Sequence, residues 1–406
     1  MTREDARALD AADPTRHLRA SFALADGVAY LDGNSLGALP LATPARLAEL
    51  IQKEWGRDLI AGWNAHGWIG AAQRVGARIA PLVGAQADEV LVADSTSVNL
   101  FKLLAAACTL QPARTTILSE PGNFPTDLYV AQGVAGMLGT QVRTVPIDAV
   151  AGAIDDDTAV VLLTHVHYKT GAKRDMAALT AAAQAKGALV LWDLSHSVGA
   201  VTVDLNGCGA DLAVGCGYKY LNGGPGAPAF LYVARALQER LQSPLSGWMG
   251  HAAPFDFDDD YAPASGIARF QCGTPPILGI AALEQGVAMF EGIDRAALFA
   301  KGQALCDLYV ALVEARCEGF ALASPRDAAA RGSHVSFAHP HAHAICQALI
   351  ARGVIGDFRA PDVLRMGFAP LYTRFEDVWH AVDTLAGVMR DRAWDDAAFH
   401  VRAAVT

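Results

Sequence analysis

Residues 187–197 read GALVLWDLSHS and residues 210–226 read ADLAVGCGYKYLNGGPG, and these two stretches decide the fold. Each contains a short apolar run that predicts a buried strand, and each places a charged group at or soon after the end of that run. In a parallel α/β sheet, the carboxyl ends of the strands form the edge where ligands bind. The two stretches are therefore predicted to bring Asp193 and Lys219 to the same edge.

This pair of side chains matches what a pyridoxal phosphate (PLP) site requires. The amine of Lys219 can form a Schiff base, and the glycines that follow it let the backbone approach a ligand closely. Asp193 can pair with a protonated pyridine nitrogen. A surface lysine and a helix-capping aspartate are the alternative for either residue alone, but their joint position favours PLP.

His196 lies three residues after Asp193 and can contact the cofactor or orient the aspartate. Asp193, Ser195 and His196 also suggest a serine hydrolase. Residues so close in sequence do not easily align as orienter, nucleophile and base, and no GxSxG turn accompanies them. The hydrolase interpretation is therefore not adopted.

Composition limits the class of protein. The chain has 406 residues, of which 52% are hydrophobic and 18% are charged, as expected of an ordered globular enzyme with more than one domain. A net charge of −10 argues against nucleic acid or an anionic membrane as a partner. The seven cysteines are scattered, and the N-terminus lacks a signal-peptide pattern. These features predict a cytoplasmic location.

Strand and helix patterns alternate from residue 89 onwards. Such alternation predicts an α/β fold with a mostly parallel, seven-stranded sheet. The predicted strands are Glu89–Ala93, Thr115–Ser119, Gln141–Pro146, Ala159–His165, Ala188–Asp193, Asp211–Cys216 and Ala227–Val233.

The rest of the chain completes the predicted domain organisation. Residues 244–276 form an irregular segment, and one long helix is predicted from 276 to about 312. A smaller α/β pattern follows. We predict an N-terminal segment, 1–50, that packs with the small domain, a large PLP-binding domain, 51–285, and a small C-terminal domain, 286–406.

Three further motifs point to ligand contacts, each with an alternative. Thr96 and Ser97 follow Ser95 where a helix begins, which suits a phosphate or a plain N-cap. Phe124, with Asp127 nearby, can stack on a planar cofactor or belong to the core. Arg365 ends a predicted strand and can bind a carboxylate or form a structural ion pair.

Two groups rich in histidine or tryptophan are less specific. His339, His341 and His343 alternate, but the junction contains a proline and no carboxylate completes a shell, so no metal is predicted. Trp63, with His66 and Trp68 close by, can line a pocket for a flat substrate or pack in the core.

With these motifs identified, the chain resembles the kynureninases, PLP enzymes of the aspartate aminotransferase superfamily (fold type I), over nearly its whole length. The Asp193/Lys219 pair is shared by the superfamily. The Trp248 segment, the turn at residues 272–276 and residues 368–372 are more specific to kynureninases. The matching segments are residues 31–37, 94–104, 123–128, 164–171, 192–200, 217–224, 246–251, 270–276 and 365–372.

The resemblance implies a role for each matching residue. Lys219 would bind PLP covalently, with Asp193 at the pyridine nitrogen and Tyr218 as a further catalytic group. Arg365 would bind the substrate carboxylate, while Asn34 and Trp63 would face the aryl group. The implied cofactor-binding residues are Thr96, Ser97, Phe124, Pro125, Thr126, Asp127, Thr164, Asp193, His196, Tyr218, Lys219, Trp248 and Thr274.

The resemblance also implies an activity and a partner. The activity is hydrolytic Cβ–Cγ cleavage of L-kynurenine or 3-hydroxy-L-kynurenine to an anthranilate and L-alanine, in tryptophan catabolism and NAD biosynthesis. Trp248 and Thr274 would reach the phosphate from a neighbouring subunit, so the enzyme would be a homodimer. Thr274 stands where family members often have Asn.

Other functions of the same superfamily are the alternatives. A cysteine desulfurase-like lyase needs a nucleophilic cysteine on a loop, and Cys272 is the only candidate. An aminotransferase lacks specific support in the sequence. A PLP-binding protein without turnover is disfavoured because the chain is acidic and has no basic DNA-binding module.

Overall fold

The computed structural model describes residues 1–402 and contains three sheets. The strands are β1 (Ala29–Tyr30), β2 (Val90–Val92), β3 (Thr116–Ser119), β4 (Gln141–Thr144), β5 (Thr158–Thr164), β6 (Leu189–Asp193), β7 (Leu212–Gly215), β8 (Phe230–Val233), β9 (Ala321–Leu322), β10 (His334–Ala338), β11 (Val354–Ile355), β12 (Asp357–Arg359) and β13 (Val363–Gly367).

Helices connect most of these strands. They are α1 (Arg3–Ala12), α2 (Ala42–Glu49), α3 (Gly62–Ala65), α4 (Ala71–Ile79), α5 (Thr96–Leu110), α6 (Pro125–Leu138), α7 (Ile147–Ala153), α8 (Met176–Ala185), α9 (Arg235–Gln238), α10 (Ile277–Ala288), α11 (Arg295–Arg316), α12 (Ala342–Ile350) and α13 (Phe375–Arg390). A π-helical turn, Leu50–Trp55, continues α2.

The largest sheet has seven strands in the order β2-β8-β7-β6-β5-β3-β4. β8 runs antiparallel to both neighbours, and the other pairs are parallel. Every residue of β5 is buried, as expected of a central strand covered on both faces. The predicted α/β class and mostly parallel sheet are confirmed. The ends of the seven strands differ from the predicted ends by at most three residues.

One predicted helix is wrong. Residues 276–312 form two helices, α10 and α11, rather than a single one. Gly292 lies between them with a φ of 71°, and a right-handed helix cannot continue through a residue with this positive φ. Asp294 then caps α11 by accepting the N–H groups of Ala296 and Ala297.

A second core lies in the C-terminal part of the chain. The antiparallel sheet β12-β13-β10-β9 and helices α11, α12 and α13 surround it. Ala6, Ala29 and Leu31 of the N-terminal segment belong to this core. β1 also pairs in parallel with β11. The domain boundaries proposed from the sequence stay a prediction, and residue 286 falls within α10.

α11 is the one helix among residues 1–402 that is long and apolar enough to cross a membrane, by length and composition alone. Within its most apolar window, 61% of the residues are buried inside the protein. Leu298 and Phe299 belong to the large core, whereas later residues such as Leu305 and Val313 belong to the second core. α11 therefore joins the two cores.

Candidate active site

Lys219 and Asp193 meet at the carboxyl edge of the large sheet. Asp193 ends β6, opposite Val214 of β7, and Lys219 follows β7 by four residues. Lys219 is only 8% exposed, and its Nζ lies 3.3 Å from Nε2 of His196. Burial lowers the pKa of Lys219 because the charged amine loses hydration. A buried, less basic amine is what a nucleophilic lysine requires.

Two carboxylates share this buried environment. One oxygen of Asp193 accepts the backbone N–H of Ser195 at 2.8 Å. Burial raises the pKa of Asp193, and it raises the pKa of Asp127 well above its usual range. Oδ2 of Asp127 is buried without a hydrogen-bond partner. A buried carboxylate is costly unless a partner compensates it, so this edge is suited to a ligand with polar ring substituents.

Phe124 covers the lysine. The Nζ atom of Lys219 lies 5.8 Å from the centre of the Phe124 ring, and the ring of Tyr168 meets Phe124 edge-on at 5.3 Å. Asn123 anchors the loop, because its Oδ1 accepts the backbone N–H of Phe124 at 2.8 Å and also the hydroxyl of Thr164. Thr164, at the end of β5, thus orients the loop that carries the aromatic ring.

The N-terminus of α5 lies beside Tyr218. Ser95 is the N-cap and accepts the backbone N–H of Val98 at 3.3 Å, so Thr96 and Ser97 are not required for capping. A cavity of about 440 Å³ brings Thr96, Tyr218 and Pro276 together. The dipole and the free N–H groups of a helix N-terminus favour an anion there.

A buried ion pair supports this end of α5. Lys102 is fully buried, and its Nζ contacts Oδ2 of Asp94 at 2.7 Å and the carbonyl oxygen of Phe270 at 2.7 Å. The Sγ atom of Cys272 lies 3.4 Å from the same Asp94 oxygen. Burial raises the pKa of the Cys272 thiol, which opposes formation of a nucleophilic thiolate.

Arg365 is completely enclosed, at 1% exposure. Its Nε donates to Oδ1 of Asp357 at 2.8 Å, and its Nη2 contacts the other oxygen of that carboxylate. Nη2 also donates to Oγ of Ser35 at 3.1 Å, and Nη1 donates to the carbonyl oxygen of Tyr168. The sequence left a carboxylate site and a structural ion pair as alternatives; Arg365 pairs with Asp357 here, and its binding of a substrate carboxylate stays a prediction.

The remaining substrate candidates lie in two different places. Asn34 is fully buried, and its amide oxygen, when turned towards Arg365, accepts from Nη2 and Nε at 3.0 Å. Trp63 packs edge-on against Trp68, 5.9 Å away, in a separate apolar cluster with Leu50. Asn34 thus contacts Arg365 directly, and the contact of either residue with an aryl group stays a prediction.

The turn at residues 31–37 connects the arginine with the lysine. The backbone N–H of Gly37 donates to the carbonyl oxygen of Tyr218 at 2.8 Å. A Cβ at Gly37 would lie 2.2 Å from the carbonyl oxygen of Lys219, so no larger residue fits without displacing backbone. At the other end of the turn, Asn34 and Ser35 contact Arg365.

Sequence reasoning missed the charged neighbours of this arginine. Asp357 and Arg359 lie on β12, next to β13, and Asp32 lies at the start of the turn. The sequence did contain an indication of them. Asp32 follows an apolar run, and Asp357 and Arg359 stand shortly before Pro361 as charged residues next to an apolar strand. We name Asp32, Asp357, Arg359 and Arg365 the arginine cluster.

Trp248 and Thr274 are exposed in the single chain. Trp248 is 40% exposed, and Thr274 lies in the exposed part of the turn that precedes Pro276. The two segments touch, because a Cβ at Gly247 would lie 2.2 Å from the carbonyl oxygen of Cys272. Thr274 lies two residues before Pro276, which lines the cavity at α5, and the action of Trp248 and Thr274 on a neighbouring subunit stays a prediction.

The three alternating histidines face different neighbours. His341 stacks on Trp394 at 4.0 Å, His339 packs against Phe320 at 4.7 Å, and His343 meets Phe358 edge-on at 5.3 Å. No group of His, Cys, Asp or Glu side chains suited to a metal ion occurs among residues 1–402. These histidines pack against aromatic rings.

Comparison with known proteins agrees with this geometry. The family model of the kynureninase C-terminal domain matches residues 298–385. The kynureninases of Burkholderia mallei (strain SAVP1) and Burkholderia pseudomallei (strain 1106a) are 53% identical to this chain, and that of Pseudomonas fluorescens is 52% identical, with 100% of each chain covered. The chain belongs to the kynureninase family.

Solved structures with the same fold are more distant from this chain in sequence. The cysteine desulfurase of Thermococcus onnurineus NA1 superposes with a TM-score of 0.79 at 19% identity, covering 92% of this chain and 98% of that one. A C-DES mutant with glycine covalently linked to PLP gives 0.80 at 18% identity, covering 91% and 98%. At these identities the likeness shows the fold alone, which is fold type I.

Family membership confirms the main functional predictions. The protein is a PLP-dependent hydrolase that acts on carbon–carbon bonds in ketonic substances, and its substrate is a small molecule. The desulfurase and aminotransferase alternatives are not favoured. The residues present also fit PLP, since the buried amine of Lys219 lies over the Phe124 ring and is within electrostatic reach of the buried carboxylates of Asp193 and Asp127, of which Asp127 has an unpaired oxygen.

Proposed function

We propose that this protein cleaves L-kynurenine, or its 3-hydroxy derivative, to the corresponding anthranilate and L-alanine, through the residues described above. The observation that supports this most directly is the buried Lys219 amine, held 3.3 Å from His196 beneath Phe124 and beside Asp193. Lysine, carboxylate and aromatic ring are arranged at the sheet edge as a PLP enzyme needs them.

The proposed cofactor contacts follow from position. Lys219 would hold the aldehyde carbon, Asp193 the ring nitrogen, and Phe124 one ring face. The phosphate would lie at α5, and Asp127 and His196 would lie at the ring edges. The residues proposed to bind the cofactor are Thr96, Ser97, Phe124, Pro125, Thr126, Asp127, Thr164, Asp193, His196, Tyr218, Lys219, Trp248 and Thr274.

The bound cofactor supplies an electron sink for the negative charge that develops beside the substrate's amino group. Lys219, with its pKa lowered by burial, removes the proton from Cα. Burial raises the pKa of the Tyr218 hydroxyl, which therefore stays protonated at neutral pH. We assign Tyr218 as a proton donor at the side-chain ketone when water adds. The Cβ–Cγ bond of the hydrated ketone then breaks and anthranilate leaves. The electron pair that remains on Cβ takes up a proton, and the three-carbon fragment leaves as L-alanine once Cα is protonated again.

We further propose that the enzyme is a homodimer. Trp248, Phe255 and Phe257 form an aromatic ridge with ring centres 5.6 and 6.5 Å apart, and their exposed fractions are 40%, 59% and 77%. Exposed contiguous aromatics indicate an interaction surface. The ridge includes Trp248, so a second copy that covers it would complete the neighbouring site. We also propose a cytoplasmic location, which the seven free cysteines support.

The first experiment mixes purified, PLP-loaded protein with L-kynurenine and follows anthranilate fluorescence. We expect the wild type to release anthranilate. In Lys219→Ala, turnover should fall by about 10²–10⁴-fold or more, and the visible absorption band of the bound cofactor should be lost. Lys53→Ala is the control, since Lys53 is an exposed lysine paired with Glu49. Retained turnover in Lys219→Ala would exclude the assignment.

A further inference from the structure

His334 is a fully buried histidine at the start of β10, and neither of its ring nitrogens has a hydrogen-bond partner among residues 1–402. Burial is the main cause that lowers the pKa of His334 well below its usual range, and the positive charge of Arg365 adds to the shift. The charge of Asp357 and the nearby backbone of His167 oppose it. The imidazole is therefore neutral, with one donor and one acceptor that are not satisfied.

The ring of His334 packs against the histidine that contacts the lysine. The ring centres of His334 and His196 are 5.5 Å apart, and their planes are inclined at 58°. Nε2 of His196 lies 3.3 Å from Nζ of Lys219, which is the one hydrogen bond that the His196 ring makes within residues 1–402. Burial lowers the pKa of His196 well below its usual range, so a neutral imidazole meets the amine. His334 is thus the aromatic neighbour that can fix the angle of the His196 ring.

The start of β10 is held beside the lysine segment by further contacts. The hydroxyl of Tyr220, the residue after Lys219, donates to the carbonyl oxygen of Ser333 at 3.2 Å. On another side, a Cβ at Gly171 would lie 2.7 Å from the carbonyl oxygen of His334 and 3.3 Å from its Nε2. The ring therefore packs closely on Gly171, where a larger residue would displace it. These contacts place His334 independently of its contact with His196.

An imidazole without hydrogen-bond partners makes the folded state less stable. An apolar side chain of similar size would fill the same space without that cost. Buried groups that break this rule are expected at functional sites, where stability is given up for activity. In this protein the group that breaks it is separated from the reacting amine by one histidine, which indicates a role in the reaction.

We propose that His334 is a positioning residue, whose imidazole orients His196 so that Nε2 of His196 meets the amine of Lys219. His334 belongs to the small antiparallel sheet, whereas His196 follows β6 of the large sheet, so their contact links the second core to the reacting lysine. This inference rests on the proposed function, because Lys219 is taken as the residue that holds the cofactor and removes the proton from Cα.

The test replaces the imidazole by two side chains of similar size. His334→Leu removes both nitrogens, and His334→Gln restores a donor and an acceptor. In His334→Leu we expect kcat for anthranilate release to fall about 10-fold to 100-fold, as when a reacting group is displaced by about 1 Å, with KM changed less than about 3-fold. Its Tm should stay the same or rise, because an unsatisfied polar group is removed. His334→Gln should recover most of the lost kcat.

A second readout needs no turnover. The visible absorption band of the bound cofactor depends on its bond to Lys219 and can be recorded without substrate. We expect the band of His334→Leu to shift or weaken, and that of His334→Gln to match the wild type. His339→Leu is the control, because His339 follows the other end of β10, is 9% exposed and packs against Phe320. This control should keep the wild-type kcat and band.

Three results would overturn the proposal. The first is a His334→Leu enzyme with the wild-type kcat and cofactor band. The second is an equal loss of kcat in His334→Leu and His334→Gln, which would show that the shape of the ring matters and its nitrogens do not. The third is a lower Tm of His334→Leu with kcat unchanged, which would assign His334 to stability alone.

The two proposals fail separately. If the wild type releases no anthranilate from L-kynurenine, the proposed reaction is refuted, and the cofactor band of the two His334 variants still decides whether His334 positions Lys219. If the wild type releases anthranilate and both variants match it in kcat and in the band, only the role of His334 is refuted.

Discussion

Asp32 sets the charge of the arginine cluster. Burial, followed by the negative charge of Asp357, raises the pKa of Asp32 to about 7. Its Oδ1 is buried without a partner. When Asp32 is protonated, two guanidinium groups face one carboxylate and the cluster has a net charge of +1, which suits one substrate carboxylate. When Asp32 ionises, the cluster becomes neutral. The ionisable groups that act on Asp32 or share its surroundings are Tyr30, Tyr220, Cys346, Asp357, Arg359, Arg365 and Tyr372.

The affinity for L-alanine should therefore depend on pH through Asp32. Below about pH 7 the raised pKa keeps Asp32 neutral and the carboxylate is bound tightly, and above it the affinity should fall. Asp32→Asn cannot ionise and should remove this component, so that the ratio of mutant to wild-type Kd decreases as pH rises from 6 to 8.5. The measurement is a titration of the PLP-loaded protein with L-alanine at each pH, followed by the visible absorption of the cofactor. A constant ratio across that range would contradict the role of Asp32.

The turn at residues 31–37 is the element that joins the two cores at the site. β1 pairs with β11, and the turn that follows it contacts Arg365 at one end and the Lys219 segment at the other. Gly37 allows this close approach, because its backbone lies directly against the carbonyl oxygen of Lys219 and the side chain of Asn222.

Gly37→Ala should accordingly impair catalysis more than folding. A new Cβ would meet the Lys219 carbonyl oxygen at 2.2 Å and Asn222 at 2.5 Å, so the lysine backbone must shift. We expect kcat to fall about 10-fold to 100-fold, since a displacement of about 1 Å in a reacting group has that effect.

Gly133→Ala provides the matched control for this substitution. Gly133 lies within α6, and a Cβ there meets no atom within 4 Å. Replacement should keep kcat and stabilise the protein by about 0.5–1 kcal/mol, measured as a rise in Tm. Equal kcat values for the Gly37 and Gly133 variants would show that the turn does not position Lys219.

At the scale of the whole molecule, an apolar surface is exposed in the single chain. The aromatic ridge of Trp248, Phe255 and Phe257 continues from the irregular segment that also carries the turn at residues 272–276. Ile60, at 81% exposure, and Leu59, at 62%, are further exposed apolar residues. Such surfaces are typical of permanent subunit interfaces.

Phe257→Glu should therefore weaken the proposed dimer. A charge at this 77% exposed position costs little in the monomer but is unfavourable when buried in an interface. We expect a shift towards monomer in sedimentation velocity, together with weaker PLP binding, because Trp248 would no longer complete the neighbouring site. Val401→Glu, at a similarly exposed position (72%), is the control. A wild type that is monomeric at working concentration would contradict the proposal.

Local sequence determined the sheet and the reacting pair. Apolar runs define strands because a central parallel strand is buried on both faces, and the residues that follow such strands must lie at one edge. Asp193, Lys219 and the start of α5 were therefore predictable within a few residues. The local sequence also contained the division that the prediction missed. Gly292 and the capping Asp294 separate the helix predicted from residue 276 into α10 and α11.

Only the tertiary structure decided the partners of each charge. Asp32, Asp357, Arg359 and Arg365 meet because β12 pairs with β13 and Asp32 bridges to the end of β13, although more than 300 residues separate Asp32 from the others. Whether Arg365 binds a ligand or an internal carboxylate depends on those distant neighbours and on burial. The strength of an ion pair follows from distance and dielectric environment, and neither is a property of the local sequence.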